Sequence, residues 1–216
     1  MSRTGLFLVL EGGEGVGKTT HALLLAQWFA SLGLAVTRAR EPGGTRLGEA
    51  IREVLLHHRE MEIPPESELL LMLAARAAFV REVVRPALAR GEIMLADRFE
   101  YSTFVYQGLG RGLGLDRARD LNAFATGGIR PDLVVVLDLP PSGAAARRRS
   151  AGRADDRIEG EGEAFLTRIH AGYRVLAEGD PDAVVVDAEG TPEEVQARIR
   201  SVLRVRFPEP FGSTEG

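Results

Sequence analysis

Apolar positions along the chain follow two rhythms. Residues 6–10, 34–39, 92–97 and 133–137, and the stretch "DAVVVDA" at 182–188, are short and apolar nearly throughout. Runs of that kind predict strands buried on both faces. Between them, residues 18–32, 47–56, 66–90, 116–126, 164–178 and 192–205 carry apolar residues at helical spacing. Pro64 and Pro65 are placed to open the long helix 66–90, and Gly91 to end it. "REPGGT" (40–45) is a predicted turn, and 108–114 a glycine-rich loop. Strands alternating with helices indicate an α/β fold: a five-stranded parallel sheet with helices on both faces. No internal repeat or long linker divides the chain, so one domain is expected over 1–206, with 207–216 a disordered tail.

In such sheets ligands bind beyond the carboxyl ends of the strands. The segment that follows the first strand reads "GGEGVGKT" (12–19) and fits G-x-x-x-x-G-K-[ST] in full. Its place between a predicted strand and a predicted helix is the context that gives the motif its meaning. Glycines let the backbone turn its N–H groups onto a β-phosphate, and the helix dipole adds positive potential. Lys18 is expected to reach the β- and γ-phosphates of ATP and the Thr19 hydroxyl to ligate Mg²⁺. The expected ATP-binding set is Gly12, Gly13, Glu14, Gly15, Val16, Gly17, Lys18, Thr19 and Thr20.

Composition sharpens this. All but one of the 27 basic residues are arginine, and Lys18 is the single lysine. A chain that uses arginine wherever positive charge suffices has kept a compact ammonium here. A guanine-reading [NT]-K-x-D loop needs a second lysine, so a GTPase switch is not expected. There is no cysteine, which removes disulfides, thiolate metal sites and cysteine nucleophiles and suits a reducing cytoplasm. His21, His57, His58 and His170 have no second ligand at metal spacing. The net charge of −4 offers no general attraction to nucleic acid, and no apolar run is long enough to span a membrane.

"ADRFEYSTFVYQG" (96–108) follows the third strand. Asp97 is placed to hold the water shell of Mg²⁺ and Arg98 to grip a phosphate, the alternative being a surface ion pair. "GAAARRRSAGRADDR" (143–157) reads as a helix breaking into a basic loop. Its arginines suit either a lid over a transferring phosphoryl group, at about 142–160, or a solvated helix face.

"EGGEGVGKTT", "REPGGT", "AAR", "DRFEYSTFVYQG", "PDLVVVLD" and "DDRIE", in this order from residue 6 to about 203, resemble the bacterial thymidylate kinase family. The resemblance implies a nucleoside-monophosphate-kinase fold, a homodimer, and Mg²⁺-dependent transfer of the ATP γ-phosphate to dTMP. By that likeness Glu14 lies near the sugar 3′-hydroxyl and Arg98 binds the dTMP phosphate. Arg76 reaches the thymine edge, Ser102 and Thr103 line the base pocket, and Tyr106 sits under the deoxyribose beside Gln107. Relatives with an arginine inside the phosphate loop differ from this chain, which has Gly15 there. Lid arginines then serve instead, with Arg149 and Arg153 expected and Arg147 also open. The loop 187–192 passes the adenine. The family usually stacks a phenylalanine on thymine where this chain has Met72, whose polarizable sulfur can still cover an aromatic face. Two other readings stay open: a kinase for a different small phosphate acceptor, and a phosphate-loop ATPase driving a partner.

Overall fold

The computed structural model describes residues 5–58, 60–150, 157 and 162–212. In chain order the elements are β1 (Leu6–Glu11), α1 (Lys18–Ser31), β2 (Val36–Arg40), α2 (Arg46–Leu56), α3 (Pro65–Phe79), a π-helical stretch (Val80–Val84) and α4 (Arg85–Ala89). There follow β3 (Ile93–Asp97), α5 (Glu100–Thr103), a second π-helical stretch (Phe104–Gly110), α6 (Leu115–Thr126), β4 (Leu133–Asp138), α7 (Pro141–Ser150), α8 (Glu163–Glu178), β5 (Ala183–Asp187), α9 (Pro192–Arg206) and α10 (Pro208–Phe211). The strands form one sheet in the order β2-β3-β1-β4-β5, and every neighbouring pair is parallel.

The pleat explains why these strands are apolar throughout. Successive side chains point to opposite faces, and both faces are covered. Phe7, Val9, Met94, Ala96, Val134 and Val136 enter a core shared with Ile51, Leu55, Phe79 and Ile169 of α2, α3 and α8. Leu8, Leu10, Leu95, Val135 and Leu137 enter a second core with Leu25 and Phe29 of α1 and Ile199 and Leu203 of α9. Burying each such side chain contributes about 1.5–3 kcal/mol. The register sets Leu10 opposite Asp97 and Arg40 opposite Asp97, so the strands finish level. Each ends in a charged residue: Glu11, Arg40, Asp97, Asp138 and Asp187.

Three expectations need correction. The helix foreseen over 66–90 is interrupted at Val80–Val84, where the Arg85 N–H bonds to the Val80 carbonyl. Pro86 has no N–H to give the preceding turn, and the ladder widens to accommodate its ring. The loop foreseen over 108–114 begins only after Gly110, because the second π-helical stretch runs on from α5. A Cβ on Gly110 would lie 2.9 Å from Ile169 and Phe165 atoms, so glycine there admits α8 rather than breaking the helix. The foreseen disordered tail is in fact α10 as far as Phe211, a buried ring stacked 5.3 Å from Trp28 and 5.1 Å from Phe29 between centroids. Residues 213–216 lie outside the described residues.

Phe211→Ala is expected to cost about 3 kcal/mol and to lower the melting temperature by roughly 6–12 °C, with room-temperature activity kept. Thermal unfolding followed by circular dichroism checks this, and an unchanged Tm would show the tail to be dispensable.

Candidate active site

The phosphate loop leaves β1 and turns back into α1. Gly12, Gly15 and Gly17 have φ of 131°, 77° and 99°, values a side chain would strain. Crowding adds to this, since a Cβ would fall 2.5 Å from the Leu137 carbonyl oxygen at Gly12 and 2.6 Å from that of Ala144 at Gly15. The loop folds around the buried Lys18, whose Nζ donates to the carbonyls of Gly12 (3.1 Å) and Gly13 (2.6 Å). On the next residue the Thr19 hydroxyl donates to Asp97 Oδ2 at 2.6 Å, joining the loop to the end of β3.

A cavity of about 490 Å³ opens over this edge. Glu14, Gly15, Gly17, Lys18, Thr19, Thr20 and Asp97 line one part of it, and Met72, Arg76, Arg98, Ser102, Thr103, Tyr106 and Gln107 another. Gly12, Gly13 and Val16 of the expected nucleotide set do not line it: the two glycines hold Lys18 from behind, and Val16 is core. α7 brings Arg147 and Arg148 to the cavity, whereas Arg149 is exposed and does not line it. A helix turns about 100° per residue, so three consecutive arginines cannot face one site. Arg148 Nη1 donates to the Glu14 carbonyl at 3.3 Å, and its Cγ lies 3.0 Å from where a Gly15 Cβ would be. Arg147 reaches the other way, to the carbonyls of Ala188 (2.9 Å) and Gly190 (3.1 Å) in the loop after β5. Arg153 and Asp156 lie outside the described residues.

The wall that carries Arg76 and Arg98 is held by ion pairs, one buried and one partly buried. Arg98 pairs with Glu14, donates through Nη1 to Ser102 Oγ (2.9 Å) and lies 5.4 Å above the Tyr106 ring. Arg76 is buried and donates to Glu41 Oε2 (2.8 Å), Thr103 Oγ1 (2.8 Å), Asn122 Oδ1 (2.9 Å) and the Phe99 carbonyl (2.8 Å). These bonds use four of its five N–H groups and fix the guanidinium plane, and Arg76 lines the cavity. Gln107 donates to Glu68 Oε1 at 2.9 Å, and Glu68 also accepts from Arg111 and Arg157. Those arginines, bound to the Glu68 oxygens with Gln107, hold its carboxyl below the usual range against the opposing effect of burial.

The family model described as thymidylate kinase matches residues 10–199. The chain belongs to the thymidylate kinase family. Thymidylate kinase of Leifsonia xyli subsp. xyli (strain CTCB07) is 49% identical over 202 residues, covering 94% of this chain and 96% of that protein. Thymidylate kinase of Desulforudis audaxviator (strain MP104C) is 48% identical over 219 aligned positions, covering 99% and 97%. The crystal structure of thymidylate kinase from Ehrlichia chaffeensis matches with a TM-score of 0.76 at 26% identity, over 92% of this chain and 98% of that one.

Several residues that the thymidylate kinase likeness did not single out stand in or beside the site. Arg52 lines the cavity and donates to the Pro42 carbonyl at 3.0 Å. It sits on the apolar stripe of α2 with Gly48, Ile51, Leu55 and Leu56, so a charged residue at core spacing was the available signal. Glu68, Met72 and Arg76 follow one another at intervals of four on α3, which puts two charged groups on the face that carries Met72. Glu11 and Glu41 close β1 and follow β2; nothing in a lone glutamate marks it as buried.

Burial raises the Glu41 carboxyl to about 7, and the Arg76 charge only partly offsets this. Its Oε1 is buried with no hydrogen-bond partner among the described residues. A carboxyl with a raised folded pKa stabilises the fold below its unfolded value and loses that contribution as pH rises through the folded one. Between about pH 4.5 and 7 the native state should therefore lose on the order of 3 kcal/mol from this group. Glu41→Gln, which keeps an acceptor for Arg76, is expected to flatten that slope. Urea unfolding of both proteins across this range checks it, and parallel pH curves would exclude Glu41 as the cause.

Proposed function

We propose that the chain transfers the γ-phosphate of ATP to dTMP, giving dTDP, in a Mg²⁺-dependent reaction. The observation that carries this is the sharing of one cavity by the phosphate loop and the Arg76–Arg98–Met72 wall, so that donor and acceptor phosphates meet between Lys18 and Arg98. Lys18 and the loop amides hold the β- and γ-phosphates. Arg98 takes the acceptor phosphate, for which the Glu14 carboxylate is the competing anion. Near neutral pH a phosphate monoester is largely dianionic, so its oxygen can attack directly and no general base is required. Arg147 and Arg148 of α7 supply positive charge beside the phosphate loop, and the segment around 142–160 is read as the lid that excludes water.

Thr19 and Asp97 suit Mg²⁺: both offer hard oxygen ligands, and those oxygens are 2.6 Å apart at the cavity. Among the described residues no group of three or more His, Cys, Asp or Glu could hold a metal, which fits an ion held mainly by water and phosphate. When bound, the ion would neutralise charge on the transferring phosphates. For the base, the free Arg76 donor complements a carbonyl such as thymine O4 rather than the amino group of cytosine, and Met72 provides the apolar cover.

The reading includes a homodimer in the cytoplasm. Leu47 of α2, Leu70 of α3 and Phe124 of α6 are exposed, at 53%, 58% and 88%, on helices that pack side by side. A second copy covering them would remove that apolar surface from water.

ADP release should be strongly stimulated by dTMP, less by dUMP and little by UMP, dCMP, AMP or GMP. Lys18→Ala should abolish turnover, and Arg98→Ala should cut dTMP phosphorylation by about a hundredfold while sparing basal ATP hydrolysis. Hydrolysis indifferent to every monophosphate would overturn the kinase assignment. Separately, Phe124→Glu should shift the protein from dimer to monomer in sedimentation velocity; a wild-type monomer would remove the dimer from the reading.

A further inference from the structure

Arg98 is the one non-glycine residue with positive φ among the described residues, at 75°. That conformation is unfavourable for a side chain with a Cβ and persists only where the surroundings over-determine it. The surroundings here converge on a carboxylate that the reaction itself does not use. Glu11, fully buried at the end of β1, accepts through Oε1 from the backbone N–H groups of Phe99 (2.8 Å) and Ser102 (3.0 Å), just beyond Arg98. Through Oε2 it accepts from Ser102 Oγ (2.7 Å) and from the Tyr173 hydroxyl (3.2 Å), which arrives from α8. The Arg98 N–H in turn bonds to the Leu10 carbonyl at 3.0 Å.

We propose that Glu11 and Tyr173 are positioning residues for Arg98, locking its left-handed backbone and aiming its guanidinium at the acceptor phosphate. This rests on the assignment of Arg98 to that phosphate. An ionised carboxylate only accepts, so it draws the protons of Ser102 Oγ and Tyr173 OH toward itself. Both hydroxyls must then turn lone pairs outward. Arg98 Nη1 meets them there, at 2.9 Å and 3.0 Å, together with the Gly12 carbonyl at 3.2 Å. The backbone anchor and the hydroxyl polarity are thus two functions of one carboxylate. They also connect α8, which follows the lid region, to the arginine that grips the acceptor.

Glu11→Gln separates the two functions. The amide oxygen can keep the Phe99 and Ser102 N–H bonds, while the amide N–H₂ donates to the hydroxyls and turns their protons against Arg98. Steady-state kinetics of wild type, E11Q, Y173F, R98A and the E11Q/R98A pair, with Tm measured beside them, tests the proposal. The expected result is a dTMP KM raised about tenfold in E11Q, an ATP KM within about twofold of wild type, and a Tm little changed. Y173F, which keeps the ring but loses one acceptor, should show a smaller rise of the same kind and carries the test if E11Q does not fold. In the double variant E11Q should add nothing further to R98A, because Glu11 acts through Arg98. Additive losses, a normal dTMP KM in E11Q and Y173F, or equal rises in both KM values would overturn the proposal. A normal dTMP KM in R98A would instead overturn the assignment of Arg98 on which it rests.

Discussion

Parallel pairing of β1 between β3 and β4 is the constraint from which the site follows. Parallel strands all end on one edge, and here each ends in a charged residue. The phosphate loop leaves β1 at that edge, and Asp97 and Arg98 leave β3 beside it with Leu10 and Asp97 in register. The Thr19–Asp97 hydrogen bond is therefore a product of register: a slip by one residue would turn Asp97 to the other face. What sits at the switch of strand order is a site assembled from strand ends, with two apolar cores beneath it holding those ends still.

Above those cores the molecule buries an unusual amount of charge. Glu11, Glu41, Glu68, Glu100, Arg76, Lys18 and Asp97 are all buried. Desolvating such groups costs several kcal/mol each, and pairing them roughly restores the balance, so they add little to stability. Their contribution is orientation. Arg76 is held by a carboxylate, a hydroxyl, an amide and a carbonyl, and has almost no freedom to rotate. The raised Glu41 and Glu100 carboxyls mark the strain of that arrangement, since burial dominates both despite the nearby Arg76. The cost of ordering is met on folding rather than on binding, which is the physical content of preorganisation.

The sequence patterns revealed the sheet, its parallel sense and the helix succession, because a strand covered on both faces leaves an unbroken apolar run. The phosphate loop was as legible, since glycine spacing and a lone lysine report backbone geometry directly. Failures came where a long-range contact decides a local outcome. Gly108 and Gly110 look like loop residues until α6 is found against the first and α8 against the second. Phe211 looks like tail until Trp28 is found waiting for it. Which residues of the run 147–149 face the cavity was not legible, because three consecutive arginines carry no phase of their own. Glu11 and Glu41 stand in strand-end motifs, but their burial carried no signal: a glutamate at a strand end reads as surface, and only the donors around it show otherwise.

Lys18 shows why a single residue type can be informative in a chain otherwise given over to arginine. Its ammonium sits within hydrogen-bond reach of two consecutive loop carbonyls, at 3.1 Å and 2.6 Å. A guanidinium is planar and forked, and suits a carboxylate or phosphate met edge-on, as at Arg98 and Arg76. A tetrahedral ammonium can face loop carbonyls on one side and phosphate oxygens on another with the same three protons. The shapes of the two cations thus suit the proposed roles of Lys18 toward the donor phosphates and Arg98 toward the acceptor.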